Sequence, residues 1–285
     1  MASLRNTPKQ DKARELRITI DNSLETLAQA VDEVRASETF KAYLDVQAKF
    51  HRYSWCNSLL IMSQCPSAER VAGYRTWQKL GRQVRKGERG IMIFAPCPWK
   101  RENESTGETE SGMFFRCVHV FDVSQTDGEA LPMVDVPTID VANDGLLIAL
   151  ERVCVHRGIA IDSRKLDGEF GHATDKGKTI ALESSHASGQ RAKTLAHELA
   201  HCVLHFDKTT RPDGLNRNVA ELEAESVAYV VCTHFGLDVE VRASRYIALW
   251  NGDSKALKTS LERIANTARG IIDDVDGLEC GKAVA

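Results

Sequence analysis

Residues 194–205 read TLAHELAHCVLH, and this motif indicates the fold of the second half of the chain. His197 and His201 are four residues apart, so on a helix their imidazoles lie one turn apart on the same face. Two imidazoles placed in this way can bind one metal ion, with Glu198 beside them as the general base of a metal-dependent hydrolase. The alternative is a pair of solvated histidines on a helix surface. The spacing favours a metal site, and we expect one Zn²⁺ per chain.

A third ligand is expected downstream, in the segment ELEAESVAY at residues 221–229. On a helix Glu221 and Glu225 share one face, whereas Glu223 points away. An acidic pair one turn apart suits one metal ligand and one carboxylate that accepts the other N–H of a ligand histidine. His205 continues the stripe of histidines, but it lies a further turn along the helix, so we do not expect it to bind the same ion.

The histidine segment, the preceding strand TIALES and the acidic segment together resemble the ImmA/IrrE-type gluzincin metallopeptidases over about residues 140–240. The resemblance implies a zincin-like peptidase domain whose zinc ligands are His197, His201 and Glu221. Zinc held in this way lowers the pKa of a bound water to about 7, and Glu198 would take its proton.

The acidic segment leaves two assignments open. This chain has Glu225 where many relatives have Asn or Asp, so Glu225 is either the carboxylate that orients a histidine or an alternative ligand in place of Glu221. Tyr229, one turn beyond Glu225, is a candidate oxyanion helper, and the alternative is a tyrosine of the core.

The net charge of −3 conceals a strong asymmetry. Residues 41–101 contain twelve basic and three acidic residues, a net charge of +9, which leaves −12 on the rest of the chain. Three of the four tryptophans, Trp55, Trp77 and Trp99, lie in this basic segment. Cations can follow phosphates while exposed rings stack on unpaired bases, so the pattern favours single-stranded nucleic acid. A buried aromatic core with a solvated basic surface is the alternative.

Residues 53–96, YSWCNSLLIMSQCPSAERVAGYRTWQKLGRQVRKGERGIMIFAP, resemble the N-terminal domain of ArdC-type antirestriction proteins. The resemblance implies binding of single-stranded DNA. The aromatic, amide and basic residues that we expect to contact DNA are Tyr53, Trp55, Asn57, Tyr74, Trp77, Lys79, Arg82, Arg85 and Lys86.

The hydrophobic periods predict an α+β chain with two domains. Residues 1–135 read as helices followed by a β-hairpin or small sheet, and residues 136–285 as the zincin-like metallopeptidase domain. We expect one helix over 11–37, a mobile hairpin tip between strands at 90–96 and 113–123, and a linker over 124–141.

Composition excludes several classes of protein. Charged residues make up 27% of the chain and prolines number seven, so a disordered or collagen-like chain is excluded. We expect no secretory signal, no membrane span and reduced thiols at the eight scattered cysteines, hence a cytoplasmic location.

The resemblance to ArdC-type proteins implies antirestriction, the protection of incoming plasmid or phage DNA from restriction endonucleases. One alternative is a DNA-dependent or repressor-cleaving zinc protease, whose protein substrate would be a restriction endonuclease, a repressor or a DNA-bound protein. The other alternative is a protein that coats single-stranded DNA and has an inactive zincin domain.

Overall fold

The computed structural model describes residues 8–28, 33–102, 109–130, 144–206, 215–240 and 253–280. It confirms a mixed helix and sheet fold. The chain divides into two compact units, one formed by Met1–Ser23 and Cys56–Pro132, the other by Leu24–Trp55 and Met133–Ala285.

The first unit is built around an antiparallel sheet of order β1-β4-β3 and a small two-stranded sheet, β2-β5. The strands are β1 (Val71–Gly73), β2 (Arg82–Val84), β3 (Ile91–Glu102), β4 (Thr109–Asp122) and β5 (Thr126–Gly128). The helices with residues in this unit are α1 (Pro8–Ala28), α3 (Trp55–Gln64) and α4 (Tyr74–Lys79). Its core includes Leu59, Leu60, Trp77, Ile91 and Ile93.

Helix α3 covers the edge of this sheet with side-chain amides. The amide of Asn57 donates to the carbonyl oxygen of Phe94 (2.9 Å) and accepts from its N–H (3.0 Å). Gln64 makes the same pair of bonds to Met92, at 2.8 and 2.9 Å. Because β3 is an edge strand, these amides satisfy backbone groups that would otherwise be open to pairing.

The second unit places helices against a three-stranded sheet of order β6-β8-β7, in which β6 is parallel and β7 antiparallel to β8. The strands are β6 (Ala160–Arg164), β7 (Gly171–Thr174) and β8 (Thr179–Glu183). The helices are α2 (Glu33–Lys49), α5 (Gly145–His156), α6 (Ser188–Leu204), α7 (Arg217–His234) and α8 (Ser254–Cys280). Helices α6 and α7 meet through fully buried side chains that include Leu195, Leu199, Leu222 and Val227.

Both ends of α7 have a local cause. The side chain of Asn216 accepts a hydrogen bond from the N–H of Asn218 (2.9 Å), which satisfies a donor that the first turn leaves free. Gly236 follows the helix with a φ of +82°, a conformation that glycine adopts without a steric penalty.

Several sequence-based boundaries differ from the structure. The single helix expected over 11–37 is two helices, α1 and α2, and the strands β3 and β4 extend into the expected hairpin tip. The expected linker over 124–141 begins with β5, which pairs with β2. Residues 103–108 and the expected domain boundary near 135 lie outside the described residues.

The two compact units also differ from the two domains expected on either side of residue 135. Leu24–Trp55 belong to the second unit, because α2 packs on α7. The hydroxyl of Tyr229 donates to Asp45 on α2, and Lys41 lies 5.3 Å from the centre of the Tyr229 ring. The second unit therefore includes the segment Leu24–Trp55, which lies before most of the first unit in the sequence. Within the described ranges, no helix is both long and apolar enough to cross a membrane.

Candidate functional site

The histidine motif lies in the middle of α6 and faces α7, as the four-residue spacing predicts. The Nε2 atoms of His197 and His201 are 3.1 Å apart. One carboxylate oxygen of Glu221, on α7, lies 3.5 Å from both of these nitrogens. Three donor atoms of the types that zinc prefers thus meet at one point, and these residues form a candidate metal site.

Glu225 lies on the other side of His197. One of its carboxylate oxygens is 3.4 Å from Nδ1 of His197, and the other accepts a hydrogen bond from Lys193 Nζ at 2.8 Å. The structure therefore brings Glu221 to the nitrogens that face the candidate metal and Glu225 to the opposite nitrogen of His197. This is the geometry expected of a carboxylate that orients a ligand histidine.

The carboxylates and histidines of the site strongly shift one another's pKa values. Burial lowers the pKa of His197, but its hydrogen bonds to Glu221 and Glu225 outweigh burial and raise the pKa to about 9. Hydrogen bonds from His197 and His201 hold the pKa of Glu221 well below its ordinary range, although burial opposes them. For Glu225, burial raises the pKa, and the bonds from His197 and Lys193 lower it further than burial raises it. Both carboxylates are therefore favoured in their anionic forms, which can bind a metal or orient a ligand histidine.

A cleft of about 740 Å³ opens above these residues. Glu198 lines the cleft and is 9% exposed, so it reaches the cleft from an otherwise buried position. Residues Gly171, His172 and Ala173 of β7 form one wall. Since β7 is an edge strand of its sheet, the cleft has both a candidate metal site and a strand with an open side.

Tyr229 does not line the cleft. Its hydroxyl is hydrogen-bonded to Asp45, and the residue is 3% exposed. The structure therefore places Tyr229 in the core, away from the role of oxyanion helper considered from the sequence. Its position follows from the packing of α2 on α7, which the local sequence around Tyr229 does not reveal.

The residues expected to bind DNA fall into two groups. Trp55, Asn57 and Trp77 are at most 8% exposed, and Nε1 of Trp77 donates to the carbonyl oxygen of Phe121 at 2.9 Å. Their rings and amide are used in packing and present no face for a base, which corrects the sequence-based expectation. Tyr53 and Arg82 are half-buried, and the exposed members are Tyr74, Lys79, Arg85 and Lys86.

The two expected phosphate-binding arginines also have protein partners. Arg82 donates to the hydroxyl and carbonyl oxygens of Thr126, both at 2.8 Å. Arg85 forms ion pairs with Glu88 (2.7 Å) and Asp127 (3.4 Å). Their first role in this structure is to hold the β2-β5 region together.

A different surface of the first unit exposes large apolar side chains. Met113, Phe114 and Phe115 are 58%, 52% and 64% exposed, and Trp99 is 40% exposed. We call these four residues the exposed ribbon. Strand β1 pairs only with residues 120–122 of β4, so in the described residues the ribbon has two strands and no third strand to cover it.

The exposed ribbon depends on the register between β3 and β4, and the same strands bear exposed basic residues. Trp99 is opposite Gly112, and a side chain at 112 would come within 2.7 Å of the indole ring, so the glycine makes room for the tryptophan. Arg116 and Lys100 are exposed on the same strands. Burial raises the pKa of the nearby Cys117, and the positive charges of Lys12 and Arg17 on α1 partly oppose that rise. The strands that bear the exposed rings therefore also bear exposed cations, and α1 adds positive charge near Cys117.

Comparison with protein families agrees with both halves of this description. Residues 10–121 match the N-terminal domain of the anti-restriction factor ArdC, and residues 156–233 match the IrrE N-terminal-like domain of a peptidase family. The chain combines an ArdC-type domain with an IrrE-type domain. This confirms the family resemblance expected from the sequence.

Two solved structures share the fold of this chain. Both are of the antirestriction ArdC protein from plasmid R388. The metal-free structure has a TM-score of 0.52 and 23% identity, covering 78% of this chain and 83% of its own. The Mn(II)-bound structure has a TM-score of 0.55 and 19% identity, covering 92% and 97%.

Two curated relatives are uncharacterized proteins. One, from Bacillus anthracis, is 24% identical over 275 residues that cover 80% of this chain, which spans only 46% of the relative's length. The other, from Sinorhizobium fredii, is 26% identical over 216 residues, 68% of each chain.

Proposed function

We propose that the IrrE-type domain is a zinc-dependent peptidase. The observation that carries this proposal is the approach of Glu221 to Nε2 of both His197 and His201, at 3.5 Å each, on the floor of an open cleft. Two imidazoles and a carboxylate leave a further coordination position free, which is typical of catalytic rather than structural zinc sites. When bound, such an ion polarises a carbonyl group and makes water nucleophilic at neutral pH.

The residues around the ion have separate roles in this proposal. Glu198 takes a proton from the attacking water and returns it to the leaving amine. Glu225 keeps the ring of His197 in the orientation that binds metal, and Lys193 keeps Glu225 in place. The open side of β7 can hydrogen-bond an extended peptide, which would run along the cleft past Glu198.

We also propose that the ArdC-type domain binds single-stranded DNA. Support comes from the exposed ribbon, because accessible rings can stack on unpaired bases while neighbouring cations meet the phosphates. Duplex DNA keeps its base faces stacked inside the helix, so this surface favours a single strand. The proposed role is antirestriction, in which the bound protein shields incoming plasmid or phage DNA from restriction endonucleases.

A restriction-protection assay with two variants separates shielding from proteolysis. Glu198→Gln removes the proposed general base and keeps the three ligands, and Phe115→Ser removes one exposed ring. If protection depends on shielding, Glu198→Gln protects as well as the parent and Phe115→Ser protects poorly. If Glu198→Gln abolishes protection while DNA binding and metal content are unchanged, cleavage of a protein substrate is required.

The peptidase proposal needs its own measurement, since shielding does not require it. Cleavage of an unfolded protein such as casein is followed with and without single-stranded DNA. We expect the parent to cleave and Glu198→Gln to be inactive at equal metal content. If parent and variant are equally inactive under both conditions, the IrrE-type domain is not a peptidase and only the DNA-binding role remains.

A further inference from the structure

A second group of metal-ligating side chains lies in the second unit, away from the cleft. His51 follows the end of α2, His234 is the last residue of α7, and Asp276 is on α8. One donor atom from each lies within 4.8 Å of the others. The two imidazole rings are 4.4 Å apart, centre to centre, and meet edge to face.

Three buried polar atoms of this group have no hydrogen-bond partner among the described residues. His51 is 8% exposed, and neither of its ring nitrogens has a hydrogen-bond partner among the described residues. The same holds for Oδ1 of Asp276, which is also shielded from solvent. Buried polar atoms are almost always paired in native proteins, and an absent ion is one cause of an exception. These atoms are therefore unexplained by the protein alone.

The second histidine is already oriented for metal binding. Nδ1 of His234 lies 2.9 Å from the carbonyl oxygen of Ala48. A carbonyl oxygen only accepts, so Nδ1 carries a proton and Nε2 is the ring nitrogen left to face a metal ion. Ligand histidines are held in this way by a backbone carbonyl in known metal sites.

Charge and protonation are compatible with a divalent cation. Burial lowers the pKa of His51 to about 4, and the positive charges of Arg52 and Arg269 act in the same direction. The guanidinium of Arg269 is occupied by the carbonyl oxygens of His51 and Tyr53, at 2.8 and 2.6 Å. Asp273 adds a negative charge near Asp276. The carboxylates of Asp273 and Asp276 offset the charges of Arg52 and Arg269 near this group.

We propose that His51, His234 and Asp276 form a second metal site, for zinc or a similar divalent cation. Two imidazoles and one carboxylate are a donor set that suits zinc. Donor atoms bound to one zinc lie about 3.3 Å apart, so a small closure of these side chains brings them onto one ion. Thirteen residues of α7 separate His234 from Glu221, about 20 Å along a helix, so the site is distinct from the cleft.

The expected effect of this ion is structural. It joins the ends of α2 and α7 to α8, three segments that are far apart in the sequence. Binding that occurs only in the folded state stabilises that state, so zinc should raise the melting temperature through this site as well as through the cleft.

The test is a count of metal per chain, made on the full chain after zinc loading and removal of excess ion. We expect two zinc ions in the parent and one in His201→Ala, which lacks a cleft ligand. Asp276→Asn and His51→Ala should also retain one, and His201→Ala/His51→Ala none. His156→Ala, which changes an exposed histidine at the end of α5, is the matched control and should retain two.

A second measurement keeps the result independent of folding. Added zinc should raise the melting temperature of His201→Ala but not that of His201→Ala/Asp276→Asn, where the nearly isosteric amide preserves packing. A zinc count in His51→Ala and Asp276→Asn equal to that of the parent would overturn the proposal, whether the parent holds one ion or two. If the cleft does not bind zinc, the parent and His201→Ala will hold the same number of ions. The second site is then still tested by the loss of zinc in His51→Ala and Asp276→Asn.

Discussion

The Nδ1 atoms of His201 and His205 lie 2.8 Å apart. If Nε2 of His201 binds a metal, its Nδ1 is protonated and donates to Nδ1 of His205. The Nε2–H of His205 then donates to the carboxylate of Glu223, 3.1 Å away. The same carboxylate also accepts a hydrogen bond from Nε of Arg263. Burial lowers the pKa of His205 although Glu223 opposes this, which agrees with the neutral ring that such a chain of bonds requires.

The first prediction concerns His205, which acts through His201. His205→Ala leaves Nδ1 of His201 without its acceptor, and partners of this kind typically contribute 10–100-fold to metal affinity. We expect weaker zinc binding of that order at the cleft, measured by competition with a chromophoric chelator in the Asp276→Asn background. His156→Ala is the control. Equal affinity in His205→Ala and the control would show that His205 only packs against the helix.

The second prediction separates the two carboxylates of α7. Glu221→Ala should abolish zinc binding at the cleft, because it removes a ligand atom. Glu225→Ala should weaken binding by about 10–100-fold without abolishing it, because His197 loses only its orienting partner. Zinc titration of both variants by calorimetry makes the comparison. A greater loss in Glu225→Ala would reverse the assignment and make Glu225 the ligand.

The third prediction concerns Asp122, the last residue of β4. One of its oxygens accepts from the N–H groups of Glu69 (2.8 Å) and Arg70 (2.9 Å), and the other from the N–H and hydroxyl of Ser124. Asp122→Asn places an NH₂ group against some of these donors. We expect the free energy of unfolding to fall by about 1–3 kcal/mol at pH 7, measured in urea.

This contribution should depend on pH. Burial raises the pKa of Asp122, but the bonds from Ser124, Arg70 and Glu69 lower it below its ordinary value. Stabilisation from a carboxylate with a lowered pKa is present above the unfolded value of about 3.9 and is lost as the pH falls through the folded value. The difference between parent and Asp122→Asn should therefore shrink below pH 4. A constant difference would contradict this, and Asp21→Asn, at an exposed position of α1, serves as a control that stays within about 0.5 kcal/mol of the parent.

The candidate metal-binding helix could be predicted from the sequence because its signal is local. His197, Glu198 and His201 lie within five residues, and a helix alone brings the histidines together. The bonds of His205 could not be predicted, since they depend on α7 supplying Glu223 and α8 supplying Arg263. The group of His51, His234 and Asp276 could not be predicted for the same reason, because only tertiary packing brings its members together.

Candidate DNA-contacting residues are harder to predict, because composition does not report which side chains are exposed. Trp77 lies in a basic segment, yet its ring is buried and its Nε1 is bonded to the backbone. Phe114 and Phe115 belong to an apolar run that reads as a core strand. Three consecutive apolar residues in one strand cannot all face the same side, however, and that pattern was the available signal for an exposed surface.

The fourth prediction tests which rings meet DNA, using the full chain because residues 24–55 pack in the second unit. Phe115→Ser removes an exposed ring, and we expect single-stranded DNA to bind about 5–150-fold more weakly, the equivalent of one lost stack of ~1–3 kcal/mol. Its melting temperature should match the parent, since the side chain is 64% exposed. Trp77→Ala should instead destabilise the protein by about 3–5 kcal/mol, because it empties a buried site.

Anisotropy of a labelled oligothymidine, read beside a thermal melt, distinguishes the two variants, and duplex DNA of equal length serves as the competitor. Weaker binding by Phe115→Ser at an unchanged melting temperature places the strand on the exposed ribbon. The opposite pattern would be normal affinity in Phe115→Ser and lost affinity in a Trp77→Ala protein that is still folded. In that case the single-stranded DNA would lie near α4. Trp77 would then have to leave its buried position for its ring to stack on a base.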